Sequence, residues 1–172
     1  MRNLKQLSFF LFYLLVLQTS YADNYPRNYS VDIIHYAFEL RLSDQSDEIQ
    51  GKASITVLFK QNGIKQIRLD LVNKTTLRKE KGMIIESITV DNKPAVFTHN
   101  NDEVFIQLSS PSVAGKELIF IVKYHGVPES GLRIGPTKYG DRSFFCDNWP
   151  NKARHWLPTV DHPYEKATSE FI

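Results

Sequence analysis

The chain has 172 residues, with 21 Lys or Arg against 19 Asp or Glu, so its formal net charge is only +2. Arg2 and Lys5 at the amino terminus account for that excess, and the otherwise neutral chain gives no electrostatic reason to expect a nucleic acid or an anionic membrane as partner. The one cysteine, Cys146, excludes an intramolecular disulfide, so stability has to come from packing.

The first 22 residues have the pattern of a secretory signal peptide. Arg2 and Lys5 precede an apolar stretch over residues 7–17, and Ser20 and Ala22 place small side chains at the −3 and −1 positions of a cleavage site. The apolar stretch has roughly half of the ~20 residues that a membrane-spanning helix needs. We therefore expect cleavage after Ala22, a mature domain over residues 23–172 with no membrane span, and export to the periplasm or the cell exterior.

The mature chain is predicted to be all-β, beginning with two long strands. After a polar lead-in over residues 23–27, apolar side chains occupy every second position from Ile34 to Leu42. A polar turn follows, and the same alternation runs from Ala53 to Phe59 in a second strand that begins at Ile49. A period of two is typical of strands that bury one face, so these two stretches predict a hairpin or meander.

Shorter strands are predicted in the rest of the body. Asn62-Gly63 is a strong turn signal, and the alternation resumes from Ile67 to Leu71. A charged surface loop is predicted over residues 73–81. Further strands are predicted over residues 83–90, 95–99, 104–108 and 118–124. Seven or so short antiparallel strands predict a β-sandwich.

Glycine and proline residues break the alternation over residues 126–145, which are predicted to be loops. They lead into a dense segment, Cys146 to Pro163, with two Trp, three Pro, two His, one Arg and two Asp. Function on β scaffolds is usually carried by such loops. This segment is therefore the candidate functional site.

Several kinds of catalytic site are weakly supported by this segment. The five histidines, at 35, 99, 125, 155 and 162, include no pair three or four residues apart, and His-Glu-x-x-His is absent. Cys146 with His155 or His162 would make a nucleophile pair, and Asp147 with Asp161 a carboxylate pair. The simpler interpretation is structural: Trp149, Trp156, Leu157 and Pro158 pin a loop onto the sheet while Arg154 pairs with Asp161.

The segment also carries a family resemblance. Residues 153–163, A-R-H-W-L-P-T-V-D-H-P, followed by Lys166-Ala167, resemble the end of the N-terminal domain of the aminopeptidase N family of gluzincin zinc aminopeptidases, with the pattern A-R-x-x-x-P-x-x-D-x-P-x-x-K-A. The matching motif positions are Arg154, Pro158, Asp161 and Pro163. Earlier matches include Tyr29, Tyr36, Leu40 and Leu42, the strand over residues 51–57, and residues 67–71, 88–91 and 121–126.

The resemblance implies a saddle-like antiparallel β-sandwich that packs on a thermolysin-like catalytic domain and forms one wall of its active site. In that family the catalytic domain supplies Gly-x-Met-Glu-Asn, His-Glu-x-x-His and the zinc that activates water for hydrolysis of a peptide's N-terminal residue. Neither motif occurs in this sequence. We therefore expect a first domain cut before the catalytic domain, with no metal or other cofactor of its own and no activity alone.

The family also uses a residue five positions before the motif arginine to hold the substrate's α-amine. Here that position is Trp149, which cannot accept a hydrogen bond from the ammonium group but can attract it through the indole face. Asp147 and Asn148 lie next to it and are the other candidates for substrate binding.

A secreted binding module is the alternative interpretation. It would bind a carbohydrate or another protein through an aromatic loop, since flat aromatic side chains suit sugar faces. That loop comprises Tyr139, Phe144, Phe145, Trp149 and Trp156.

Overall fold

A computed structural model of the chain describes residues 23–172, so the predicted signal peptide, residues 1–22, lies outside the described residues. In chain order the strands are β1 (Val31–Arg41), β2 (Ile49–Phe59), β3 (Gln66–Asp70), β4 (Gly82–Val90), β5 (Lys93–Pro94), β6 (Phe97–Asn100), β7 (Glu103–Gln107), β8 (Glu117–Val127), β9 (Leu132–Pro136), β10 (Arg142–Cys146) and β11 (Thr168–Phe171). Two short 3₁₀ helices span Thr76–Arg78 and Ala153–His155. No helix within residues 23–172 has the length and apolarity to cross a membrane.

The strands form one large sheet, one small sheet and a hairpin. The large sheet has the order β11-β1-β2-β8-β4-β5, and the small sheet has the order β3-β7-β6. Neighbouring strands are antiparallel except for β1 and β11, which are parallel. The separate hairpin consists of β9 and β10.

The core lies between the large and small sheets, because both contribute their buried side chains to one cluster. Strand β2 shows why: Ile55, Val57 and Phe59 are fully buried, while the residues between them are only partly covered. Ile67 and Ile106 point inward from the small sheet and pack in the same cluster. Fully burying one such side chain contributes roughly 1.5–3 kcal/mol, so alternation along a few strands is enough to specify which faces meet.

The all-β prediction is confirmed, and three details differ from it. The strands number eleven among the described residues rather than about seven, and the last pair is parallel. Residues 126–145, predicted to be loops, contain the hairpin of β9 and β10. Gly131 and Gly140 lie at turns with positive φ angles and bound the two strands, while Gly135 lies within β9, so the glycines do not abolish the hairpin.

Candidate functional site

The segment Ala153–Pro163, here called the motif segment, is fastened to the end of strand β3. The backbone N–H of Asp70 donates to the carbonyl oxygen of Thr159 at 2.7 Å, and the N–H of Thr159 donates back to the Asp70 carbonyl at 3.1 Å. The N–H of Val72 donates to the carbonyl oxygen of Arg154 at 2.8 Å. Trp156 and Leu157 are each only 3% exposed, so the segment is also held by packing.

The Asp70 carboxylate lies under the motif segment and has no exposed surface. One oxygen, Oδ1, accepts a hydrogen bond from Arg68 Nη2 at 2.6 Å. The other, Oδ2, accepts one from the backbone N–H of Asp161 at 3.0 Å and one from the hydroxyl of Tyr25, and it lies 3.5 Å from Arg154 Nη2. A buried carboxylate is tolerated only when such charged and hydrogen-bonding partners compensate for the loss of water.

The predicted pairing of Arg154 with Asp161 is confirmed. Arg154 Nε lies 3.2 Å from Asp161 Oδ2, the backbone N–H of Arg154 donates to the same oxygen at 3.1 Å, and Arg154 Nη2 donates to the Asp161 carbonyl at 3.1 Å. Pro158 is buried, whereas Pro163 is exposed. Arg154 and Asp161 therefore close the motif segment into a loop, with the buried Pro158 between them.

The three candidate substrate-binding residues lie on the loop between β10 and the motif segment. The Asn148 side-chain oxygen accepts a hydrogen bond from the indole Nε1 of Trp156 at 2.9 Å, so Asn148 is turned inward. Asp147 Oδ1 accepts from the backbone N–H of Trp149 at 3.3 Å, and Oδ2 lies 3.8 Å from Lys152 Nζ. Trp149 is 78% exposed and projects from this anchored loop.

The predicted aromatic cluster divides into buried and exposed members. Trp156 pins the loop as predicted, but the same role for Trp149 is wrong because its side chain lies in solvent. Phe144 is packed partly against the core. Tyr139, Phe145 and Trp149 are the exposed members, and they are 79%, 61% and 78% exposed.

A charged cluster beside the motif segment was not predicted from the sequence. Glu129 Oε2 lies 3.2 Å from both Arg78 Nε and His155 Nδ1, and Arg78 Nη2 lies 2.6 Å from Asp102 Oδ2. Burial lowers the pKa of His155, and the attraction of Glu129 opposes that change. The sequence carries no signal for this cluster because its four members come from four separate segments of the chain.

The catalytic candidates among the described residues lie in different surroundings. Both ring nitrogens of His162 have partners. Nε2 lies 3.0 Å from Asp23 Oδ2, and Nδ1 accepts a hydrogen bond from the backbone N–H of Tyr164 at 3.2 Å. Cys146 is exposed, and Asp161 is paired with Arg154. Residues 23–172 contain no group of three or more His, Cys, Asp or Glu placed to hold a metal ion.

Comparison with solved structures supports the fold. An M1 zinc metallopeptidase from Deinococcus radiodurans superposes with a TM-score of 0.66 at 21% identity, over 83% of this chain and 32% of that one. A mutant of the M1 zinc metallopeptidase from the same organism superposes with a TM-score of 0.66 at 23% identity, again over 83% of this chain and 32% of that chain. A two-domain M1 zinc metallopeptidase mutant bound to L-tryptophan superposes with a TM-score of 0.67 at 20% identity, over 84% of this chain and 32% of that chain. This chain thus spans about a third of the length of these proteins.

No curated protein sequence matches the chain. The family model for the peptidase M1 N-terminal domain matches residues 32–172, which include all of the strands except the first residue of β1, and the motif segment. The chain therefore belongs to the peptidase M1 N-terminal domain family.

Proposed function

We propose that this chain is the substrate-rim domain of an exported zinc-dependent aminopeptidase and that it is not catalytic alone. The observation that carries the proposal is the family match over residues 32–172, which includes the motif segment anchored on Asp70. Its partner would be a thermolysin-like catalytic domain, and the substrate would be the amino-terminal end of a peptide.

Zinc in the complete enzyme would supply Lewis-acid activation of the water that attacks the peptide bond. This chain's own contribution is a fixed wall. Asn148 is committed to Trp156, whereas Asp147 contacts Trp149 and Lys152 and keeps part of its carboxylate exposed. Trp149 presents the largest exposed surface of the three candidate residues. An indole face attracts an ammonium group within about 6 Å of its centroid. Trp149 would therefore orient the substrate's amine without accepting a hydrogen bond from it.

The test uses the complete reading frame that contains these residues, with aminoacyl anilides as substrates. We expect zinc-dependent turnover, and we expect Trp149→Ala to raise KM about 2- to 30-fold, which corresponds to the 0.5–2 kcal/mol of a cation–π contact. Trp149→Phe should recover part of that loss. Tyr139→Ala is the matched control, because Tyr139 is equally exposed and lies outside the motif segment and its adjoining loop.

Two outcomes would contradict the proposal. Turnover by residues 23–172 alone that disappears in Cys146→Ala would mean that the domain is itself a hydrolase. The exposed side chains of Tyr139, Phe145 and Trp149 favour the second candidate function, a carbohydrate- or protein-binding module. Glycan-array binding that is lost in Trp149→Ala would support that function instead.

A further inference from the structure

The first described residues, Asp23–Asn28, pack across the carboxyl-terminal half of the motif segment and the residues that follow it. Asp23 Oδ2 lies 3.0 Å from His162 Nε2, and the backbone N–H of Asn28 donates to the Tyr164 hydroxyl at 3.2 Å. The guanidinium of Arg27 lies over the Tyr164 ring at 5.9 Å from its centroid. Asn28 and Tyr164 are 136 positions apart, so these contacts join two distant parts of the chain.

Tyr25 is the central side chain of this contact. Its ring stacks on His162 with a centroid distance of 4.7 Å and an interplanar angle of 18°. The guanidinium carbons of Arg68 and Arg154 lie 5.0 Å and 5.7 Å from the ring centroid. Such cation–π and stacking contacts gain strength where water is excluded.

The Tyr25 hydroxyl donates to Asp70 Oδ2, the same oxygen that accepts the backbone N–H of Asp161. Burial, the hydrogen bond to Asp70 and the charge of that carboxylate all raise the pKa of Tyr25, so the phenol keeps its proton and remains a donor. One buried carboxylate oxygen thus accepts hydrogen bonds from both the amino-terminal segment and the motif segment.

The first part of the motif segment, up to Thr159, and residues 161–165 are held in different ways. Arg154 and Thr159 have backbone hydrogen bonds to β3 and the residues after it. Residues 161–165 have no backbone pairing with a strand. Asp161 is held by Arg154 and by Asp70, and the Glu165 side chain accepts a hydrogen bond from the N–H of Ile33. His162 and Tyr164 contact residues 23–28. Loss of the amino-terminal segment would therefore loosen residues 161–165 first.

We propose that Asp23–Asn28 is a latch that fixes residues 161–165, and that Tyr25 is its positioning residue, acting through Asp70. Residues 161–165 include the end of the motif segment and lead toward β11. A docked latch therefore fixes the position at which the chain leaves the motif segment. An undocked latch leaves Asp70 Oδ2 with fewer partners and frees His162 and Tyr164 to move. The latch does not depend on the proposed enzymatic function.

The test measures backbone amide hydrogen exchange of the purified chain, residue by residue, because local opening appears as faster exchange in one segment. In Tyr25→Ala we expect the amides of Asp161 and Glu165 to exchange about 10- to 100-fold faster, the range for losing a hydrogen bond to a charged group. Amides of the central strand β8 should be unchanged. Tyr25→Phe keeps the stacked ring and loses only the hydroxyl, so its effect should be smaller and confined to the same residues.

Tyr139→Ala serves as the control, because this exposed tyrosine has no contact with Asp70 or His162. Unchanged exchange at Asp161 and Glu165 in both Tyr25 variants would overturn the latch. Equal acceleration in β8 and in residues 161–165 would also overturn it, because it would mean that Tyr25 contributes only global stability. If Tyr25→Ala does not fold, the same two outcomes are read from Tyr25→Phe.

Discussion

Asp70 is the residue around which the candidate site is organised. Two arginines, a tyrosine hydroxyl and a backbone N–H surround its carboxylate, which has no exposed surface. Removing one member of a buried charged group is costly because the remaining charges stay buried without compensation. This burial could not be predicted, since strand alternation puts Asp70 on the face opposite Ile67 and Leu69. Asp70 is buried because the motif segment and the latch cover that face.

Replacement of Asp70 by Asn should destabilise the domain strongly. We expect Asp70→Asn to lower the free energy of unfolding by about 3 kcal/mol or more, since Arg68 and Arg154 lose their shared counter-charge. Urea unfolding measures this loss as a shift of the transition midpoint. Glu39→Gln is the control: Glu39 pairs with Lys52 at 2.5 Å on the surface, where the pair is worth less than about 1 kcal/mol. Similar losses in both variants would contradict the central role of Asp70.

His99 should make the stability of the domain depend on pH. Its Nε2 lies 2.8 Å from the Leu71 carbonyl oxygen, and burial lowers its pKa although that hydrogen bond and Asp102 oppose the change. The unfolded chain, with a histidine pKa of about 6.5, then binds more protons than the folded chain just below that pH. The stability that this residue contributes is complete above about pH 6.5 and is lost as pH falls toward the folded pKa.

Unfolding free energies at about pH 7.5 and about pH 5.5, on either side of the ordinary histidine pKa, check this prediction for the wild type and for His99→Gln. The wild type should lose more stability between the two pH values than the variant does, because glutamine has no proton to gain while its amide can still donate to Leu71. The idea fails if the two proteins lose the same amount.

Among the elements, the hairpin of β9 and β10 is held by Arg142 at the end next to its turn, where Arg142 pairs with Pro136. Its Nη2 donates to the Ser46 carbonyl at 2.7 Å and to Asp47 Oδ1 at 2.5 Å, and its Nε donates to the Ser43 carbonyl at 3.2 Å. The hairpin could not be predicted from alternation, because Leu132 is the one buried side chain in its two strands. Strands that are covered on neither face leave little periodic signal in a sequence.

Strand β2 depends on a glycine opposite a large aromatic ring. A Cβ atom added to Gly51 would lie 2.2 Å from Tyr124 Cζ, so the ring of the neighbouring strand occupies the space of a side chain. We expect Gly51→Ala to cost about 1–3 kcal/mol of unfolding free energy, the usual cost of overpacking a core. Gly135→Ala is the matched control in a strand, since no atom lies within 4 Å of its added Cβ, and it should change stability by less than about 0.5 kcal/mol. Chemical unfolding of the two variants measures the difference, and equal effects would count against the packing argument.

At the scale of the whole molecule, alternation predicted the sandwich, because β1, β2 and β8 each bury one face against the common core. The chemistry of the motif segment also predicted the pairing of Arg154 with Asp161. What could not be predicted were contacts between distant segments whose residues show no periodicity. All four residues of β11 are exposed, and the latch is a polar segment with a proline. Neither has a sequence pattern that predicts which part of the chain it contacts.

The parallel pairing of β1 with β11 sets the timing of folding during synthesis. His35 and its partner Thr168 are 133 positions apart, so at a translation rate of about 5–20 residues per second the outer side of β1 waits roughly 7–27 seconds for its neighbour. Throughout that interval the nascent polypeptide displays an open β edge, which readily recruits strands from other chains. Recombinant yield should therefore rise when fewer nascent chains are present together, as with a weaker promoter, and when abundant chaperones cover the open edge.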